Sequence, residues 1–218
     1  MAGVNDSHDL LDVVRRRLAS TLPGRDAQLR MAPRPLYRPD PALEPSLRPA
    51  AALLLLYPSA SDKVWRIPLT VRGANLRHHT GQVSLPGGRL DHPGETIEAA
   101  ALREAFEEIG VVPTSVEILG RLTPIPVVVS GHLLHPVVGV ATERPQFTIA
   151  TTEVDRLIEL PVDRLMHKDA VSWEERVRSL PPAGLMNVPY FEIDGARVWG
   201  ATAMVLAEFI ALIEDASA

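Results

Sequence analysis

The stretch TIEAAALREAFEEIG, residues 96–110, constrains this chain more than any other. Thr96 is a good N-cap, because its hydroxyl can accept a bond from a free backbone N–H of the first turn. Gly110 suits the left-handed position that ends a helix. Between them the pattern predicts a helix from Ile97 to Ile109. An α-helix turns about 100° per residue, so with Glu104 at zero, Glu107 falls at roughly −60° and Glu108 at roughly +40°. All three carboxylates share one face. Like charges at i,i+4 cost a helix about 0.2–0.5 kcal/mol per pair, so something must offset the repulsion. Clustered carboxylates are hard oxygen donors that suit Mg2+ or Mn2+. Mg2+ usually takes few protein carboxylates and completes its shell with water and substrate phosphate, so the cluster points to phosphate chemistry. The plain alternative is a solvent-facing pair of glutamates on an ordinary helix. The preceding loop LPGGRLDHPGE, residues 85–95, weighs against that alternative. Its glycines let the backbone bend sharply and come close to a ligand.

The rest of the sequence sets limits. The 218 residues suffice for one domain with appendages and a full hydrophobic core. Apolar content of 46% is that of a globular chain. A formal net charge of −5 argues against a broad electrostatic grip on nucleic acid, while leaving room for a local basic pocket. There is no cysteine, which excludes disulfides, thiolate metal sites and cysteine nucleophiles. The N-terminus lacks the long apolar stretch of a secretory signal, and the run AALLLLY is too short to span a bilayer. A soluble, cytoplasmic protein with no membrane partner is expected.

Along the chain, residues 9–20 read as an amphipathic helix with Arg15, Arg16 and Arg17 on or near a solvated face. Residues 32–49 are Pro-rich and read as an extended arm. A buried strand at AAALLLLYP and a second at KVWRIPLTVR follow, with a turn at SASD. Residues 81–95 read as loop. Further strands are expected around 116–122, 125–129 and 136–141, then a strand end running into a short helix at ELPVDRLM. Residues 188–199 read as a hairpin turning at IDGAR, and TAMVLAEFIALIE as a final helix packed on the body. Mixed strands with isolated helices indicate an α/β sandwich. The division expected is an N-terminal helix and Pro-rich arm over 1–47 and one domain over 48–218.

The residues also carry a resemblance. GGRLDHPGETIEAAALREAFEEIGV resembles the Nudix box, whose pattern is Gly, five residues, Glu, seven residues, then Arg-Glu-apolar-any-Glu-Glu-any-Gly-apolar. Arg103, Glu104, Ala105, Glu107, Glu108, Gly110 and Val111 fit its second half, and Glu95 fits the earlier Glu. Gly88 lies one residue too far upstream, so the loop holds one extra residue. Upstream, LTVRGANLRHHTGQVSLPGG resembles the signature of the coenzyme A pyrophosphatase subfamily of Nudix hydrolases. Leu69, Thr70, Arg72, Arg77, Gly81, Pro86, Gly87 and Gly88 match in register. Gly73 stands where Ser or Ala is usual, and Leu85 where Phe is usual.

That resemblance implies a Nudix-type α/β/α sandwich with a mixed sheet. It implies hydrolysis of the diphosphate bond of coenzyme A or a derivative, dependent on Mg2+ or Mn2+, to 3′,5′-ADP and (acyl-)4′-phosphopantetheine. Glu104, Glu107 and Glu108 are the implied metal ligands, and Glu104 or Glu108 the acceptor of the water's proton. Arg103 would orient a helix carboxylate by charge-assisted hydrogen bonds. Gly87 and Gly88 would give backbone room at the metal, and Arg72 and Arg77 would bind phosphate. Glu95 and Glu153 are further carboxylates of interest. His78 and His79 point to opposite faces if extended, so at most one faces the site, and both read as surface residues. Trp199 reads as core beside the last helix. The alternatives are a Nudix hydrolase of ADP-ribose or a dinucleotide, and a non-catalytic Nudix-like binding domain. The N-terminal helix and arm could also reach across a homodimer.

Overall fold

A computed structural model describes residues 7–36, 46–73, 82–167, 169–178 and 184–214. Its central strand is β1 (Arg48–Pro58). The unbroken run of Ala and Leu there is buried on both faces, as expected of a strand with layers on each side. Ala51, Leu53, Leu55 and Tyr57 pack in one core, and Ala52, Leu54 and Leu56 in another. β2 (Trp65–Arg72), β3 (Val83–Ser84), β4 (Gly87–Arg89), β5 (Glu117–Arg121), β6 (Ile125–Val127), β7 (His132–Val140) and β8 (Val154–Pro161) complete the sheet. Its order is β3-β2-β1-β7-β5, with β4 beside β1, β6 beside β7 and β8 beside β2. β1 pairs parallel with β7 and antiparallel with β2 and β4, so the sheet is mixed.

Helices cover both faces. α3 (Ile97–Ile109) packs on the core of Ala51, Leu53 and Leu55. On the other face lie α1 (Ser7–Leu18), α2 (Gly24–Gln28) and α5 (Gly200–Glu214), with Leu10, Val14, Met31 and Phe209 in their shared core. A short α4 (Val162–Leu165) follows β8. β9 (Val171–Arg178), β10 (Gly184–Ile193) and β11 (Ala196–Trp199) form a separate antiparallel sheet. This is the expected α/β/α sandwich. The β10–β11 turn is Asp194–Gly195, both at positive φ, as a two-residue hairpin turn requires. Among the described residues, no helix is long and apolar enough to cross a membrane.

Several boundaries differ from the sequence expectation. The segment read as loop between 81 and 95 contains β3 and β4, β7 begins at His132, and neither α2 nor β9 was foreseen. The final helix also carries a buried acid. Glu208 is fully buried and accepts bonds from Gln28 Nε2 at 2.7 Å and Thr123 Oγ1 at 2.7 Å, and from the N–H of Thr123 and of Gly24 at 3.2 Å. It ties α2 and the β5–β6 connection to α5. Glu208→Ala leaves those donors buried and unsatisfied, and is expected to cost about 3–5 kcal/mol in urea unfolding. A loss below about 1 kcal/mol would mean that water replaces the carboxylate there.

Candidate functional site

The site is built where β4, the loop after it and α3 meet. Thr96 caps α3 by accepting from Ala99 N–H at 3.2 Å, and Gly110 closes it at φ 74°. The free carbonyls at its end are taken up by the segment before β8: Thr148 N–H donates to Ile109 O and Ala150 N–H to Glu108 O. That same segment covers the last turn of α3.

Arg103 organises the carboxylates. Its Nε donates to Glu95 Oε1 at 2.8 Å, and Nη1 to Glu104 Oε1 at 2.9 Å and to Glu107 Oε2 at 3.1 Å. Its Nη2 donates to the Arg89 carbonyl at 2.9 Å. Glu95 also accepts the Asp91 N–H at 2.6 Å and is 6% exposed, so the extra loop residue has not turned it away. The Arg103 bond, outweighing desolvation, holds the Glu95 carboxyl below the usual range. The Arg89 carbonyl and Asp91 are parts of this assembly that the sequence reading did not single out.

Glu108 differs in kind from its neighbours. It is 6% exposed, and among the described residues its Oε2 is buried without a hydrogen-bond partner. Burial first, and then the Glu104 charge, push its carboxyl up to about 8. Arg72 and the Gly87 N–H act against the shift, and Glu153 adds to it. Arg72, Gly87 and Glu153 are thereby all within electrostatic reach of Glu108. Glu104 is also raised, by desolvation first, with Arg103 opposing. Glu107 points outward, its side chain 54% exposed.

These donors fit a small hard cation. A buried carboxylate oxygen with no partner, beside a second carboxylate four residues away, lacks only a positive charge. Among the described residues no group of three or more His, Asp or Glu side chains is arranged to hold a metal. Of the three carboxylates expected as ligands, those of Glu104 and Glu108 are largely buried, while that of Glu107 faces water.

The two glycines do different work. A Cβ on Gly87 would sit 2.3 Å from the Ala51 carbonyl, inside the sheet, whereas one on Gly88 would sit 2.3 Å from Glu104 Oε1. Gly87→Ala must push two strands apart. Gly88→Ala need only displace a carboxylate. We expect Gly88→Ala to keep its melting temperature within about 3 °C while losing most activity. Unfolding of Gly88→Ala, or full activity, would contradict this placement.

The NUDIX domain family matches residues 47–180. The chain belongs to the Nudix family. An uncharacterized Nudix hydrolase, NudL, from Pectobacterium atrosepticum is 40% identical to it over 182 residues, 79% of this chain and 90% of that protein. A protein of the same description from Shigella flexneri serotype 5b is 36% identical over 132 residues, 61% of this chain and 67% of that one. Among solved structures, a Nudix hydrolase from M. smegmatis has 25% identity and a TM-score of 0.43, covering 55% of this chain and 73% of that one. In this Nudix chain the box residues Glu95, Arg103, Glu104, Glu107 and Glu108 form one contiguous assembly. Of the upstream signature, Arg72 and Gly87 reach it, while Arg77 and Gly81, with His78 and His79, lie outside the described residues.

Proposed function

We propose that this chain hydrolyses the diphosphate bond of coenzyme A or one of its derivatives, releasing 3′,5′-ADP and 4′-phosphopantetheine or its acylated form. The observation that supports the reading is the meeting of the two sequence patterns: Gly88, which closes the upstream signature, lies so close to Glu104 of the box that a Cβ there would sit 2.3 Å from Glu104 Oε1. A diphosphate bound at this face would have part of its charge matched by a guanidinium, the role proposed for Arg72.

Glu104 and Glu108 are the proposed inner ligands of a Mg2+ or Mn2+ ion, and Glu107 the outer one. A divalent cation bound there supplies charge neutralisation on the diphosphate and an acidified water. Glu104 or Glu108 takes the proton of the attacking water. Arg103 fixes Glu104 and Glu107, and Glu95 holds Arg103 in turn. Gly87 and Gly88 leave the space that the substrate and the Glu104 carboxylate need. Arg72 and Arg77 bind phosphate oxygens.

If Arg77 reads the 3′-phosphate, Arg77→Ala raises the KM for coenzyme A by about tenfold and leaves that for dephospho-coenzyme A within about twofold. Equal changes for the two would remove that role. Faster turnover of ADP-ribose or a dinucleotide than of coenzyme A would replace the substrate assignment and keep the carboxylate helix.

A further inference from the structure

A cavity among the described residues lies apart from the carboxylates. It has a volume of about 910 Å3 and lies between α2, β3, β6, the β9–β10 hairpin and the start of α5. That is the sheet face opposite α3. Cavities of roughly 300–1,000 Å3 are the size that holds small organic ligands. The walls are mainly apolar, with Val83, Ile125, Val127, Met186 and Met204 among them. Glutamates and aspartates are absent from the described lining, whereas Arg25 and Arg176 both reach it.

Trp199 also lines the cavity, half-buried rather than in the core where the sequence placed it. Its ring does not offer a free stacking face: the Arg176 guanidinium lies over it, 4.2 Å from the centroid. A nucleobase would have to displace that guanidinium to stack. A flexible alkyl chain would not, and two methionines can adjust to its bends. Arg176 is already paired with Glu174. Arg25, exposed on α2, has no ion pair or hydrogen bond from its side chain among the described residues.

We propose that this cavity binds a fatty carboxylate, its alkyl chain along the apolar wall and its carboxylate on Arg25. This site is separate from the carboxylate helix and does not depend on the substrate proposed above.

The test is binding of dodecanoate, below its micelle concentration, to the metal-free full chain, followed by Trp emission and calorimetry. Dodecanol serves as the uncharged control, and dodecanoyl-coenzyme A against coenzyme A as the thioester arm. Dodecanoate is expected to bind, and dodecanol about tenfold more weakly, because it lacks the charge that Arg25 meets. Arg25→Ala, at an exposed position, should weaken dodecanoate about tenfold and leave dodecanol unchanged. Met204→Trp, which fills the cavity, should abolish binding of both. Three results would overturn the proposal: no dodecanoate binding, equal binding to Arg25→Ala, or binding of the thioester alone, which would make the cavity a subsite of the substrate. Because these measurements need no turnover, failure of the coenzyme A reading would leave them standing.

Discussion

Glu108→Gln is expected to abolish turnover, by about 10^3-fold or more, while making the metal-free protein more stable in alkaline buffer. The two effects share one cause. Glu108 is nearly fully buried, has an oxygen with no partner and sits beside Glu104. Its carboxyl lies at about 8 in the folded chain against an ordinary 4.5. Below pH 4.5 both folded and unfolded chains hold the proton. Between 4.5 and 8 only the folded chain does, so stability falls as pH rises through that window, and above 8 the whole cost is present. Gln cannot ionise and escapes it. At pH 9 in EDTA the variant should be more stable to urea than the parent, by an amount on the order of a few kcal/mol. At pH 4 the two should coincide. Added Mg2+ should stabilise the parent more at pH 9 than at pH 6, where a proton must first leave Glu108. It should do little for the variant. A variant that is less stable at every pH would show that the Glu108 carboxylate is satisfied in the folded chain.

Arg103→Ala is expected to destabilise the folded chain strongly, costing about 3–5 kcal/mol in urea unfolding and removing activity as well. It strands Glu95, buried on the loop, and releases Glu104, Glu107 and the Arg89 carbonyl together. Arg103→Lys separates charge from geometry. A single ammonium cannot span four acceptors that a planar fork reaches, so Lys should recover less than half of the stability. If Lys restores both stability and activity, then Arg103 acts as a point charge and its hydrogen bonds do not position Glu104.

How much of this could be read from the sequence depended on how local the cause was. α3 was legible to the residue, since the Thr96 cap, the Gly110 stop and the shared face of Glu104, Glu107 and Glu108 all act within the helix. β1 was legible because a run of buried Ala and Leu signals itself. β4 was not. Gly-Gly-Arg looks like a loop, and it becomes a strand only by pairing with Ala50–Ala52, more than thirty residues back in sequence. β9, VSWEERVR, mixes charge with apolar residues because much of it stays exposed, and so lacks a clean period. The carboxylate cluster was legible as a shared helix face. The difference between its members was not: the Glu108 carboxyl is buried beside the Gly87 N–H of β4, whereas Glu107 faces water. Glu208 shows the same limit. Nothing near it in sequence reveals that Gly24, Gln28 and Thr123 will converge on its carboxylate.

The Glu104–Glu108 face and the upstream signature are proposed to serve together one reaction on coenzyme A. The most direct measurement is to incubate the purified chain with Mg2+ or Mn2+ and with coenzyme A, ADP-ribose, NADH or diadenosine polyphosphates, resolving the products by chromatography. Release of 3′,5′-ADP from coenzyme A, faster than any other turnover and stopped by EDTA, is the result expected. Coenzyme A left intact while another diphosphate is cleaved, or cleavage that continues in EDTA, would contradict it.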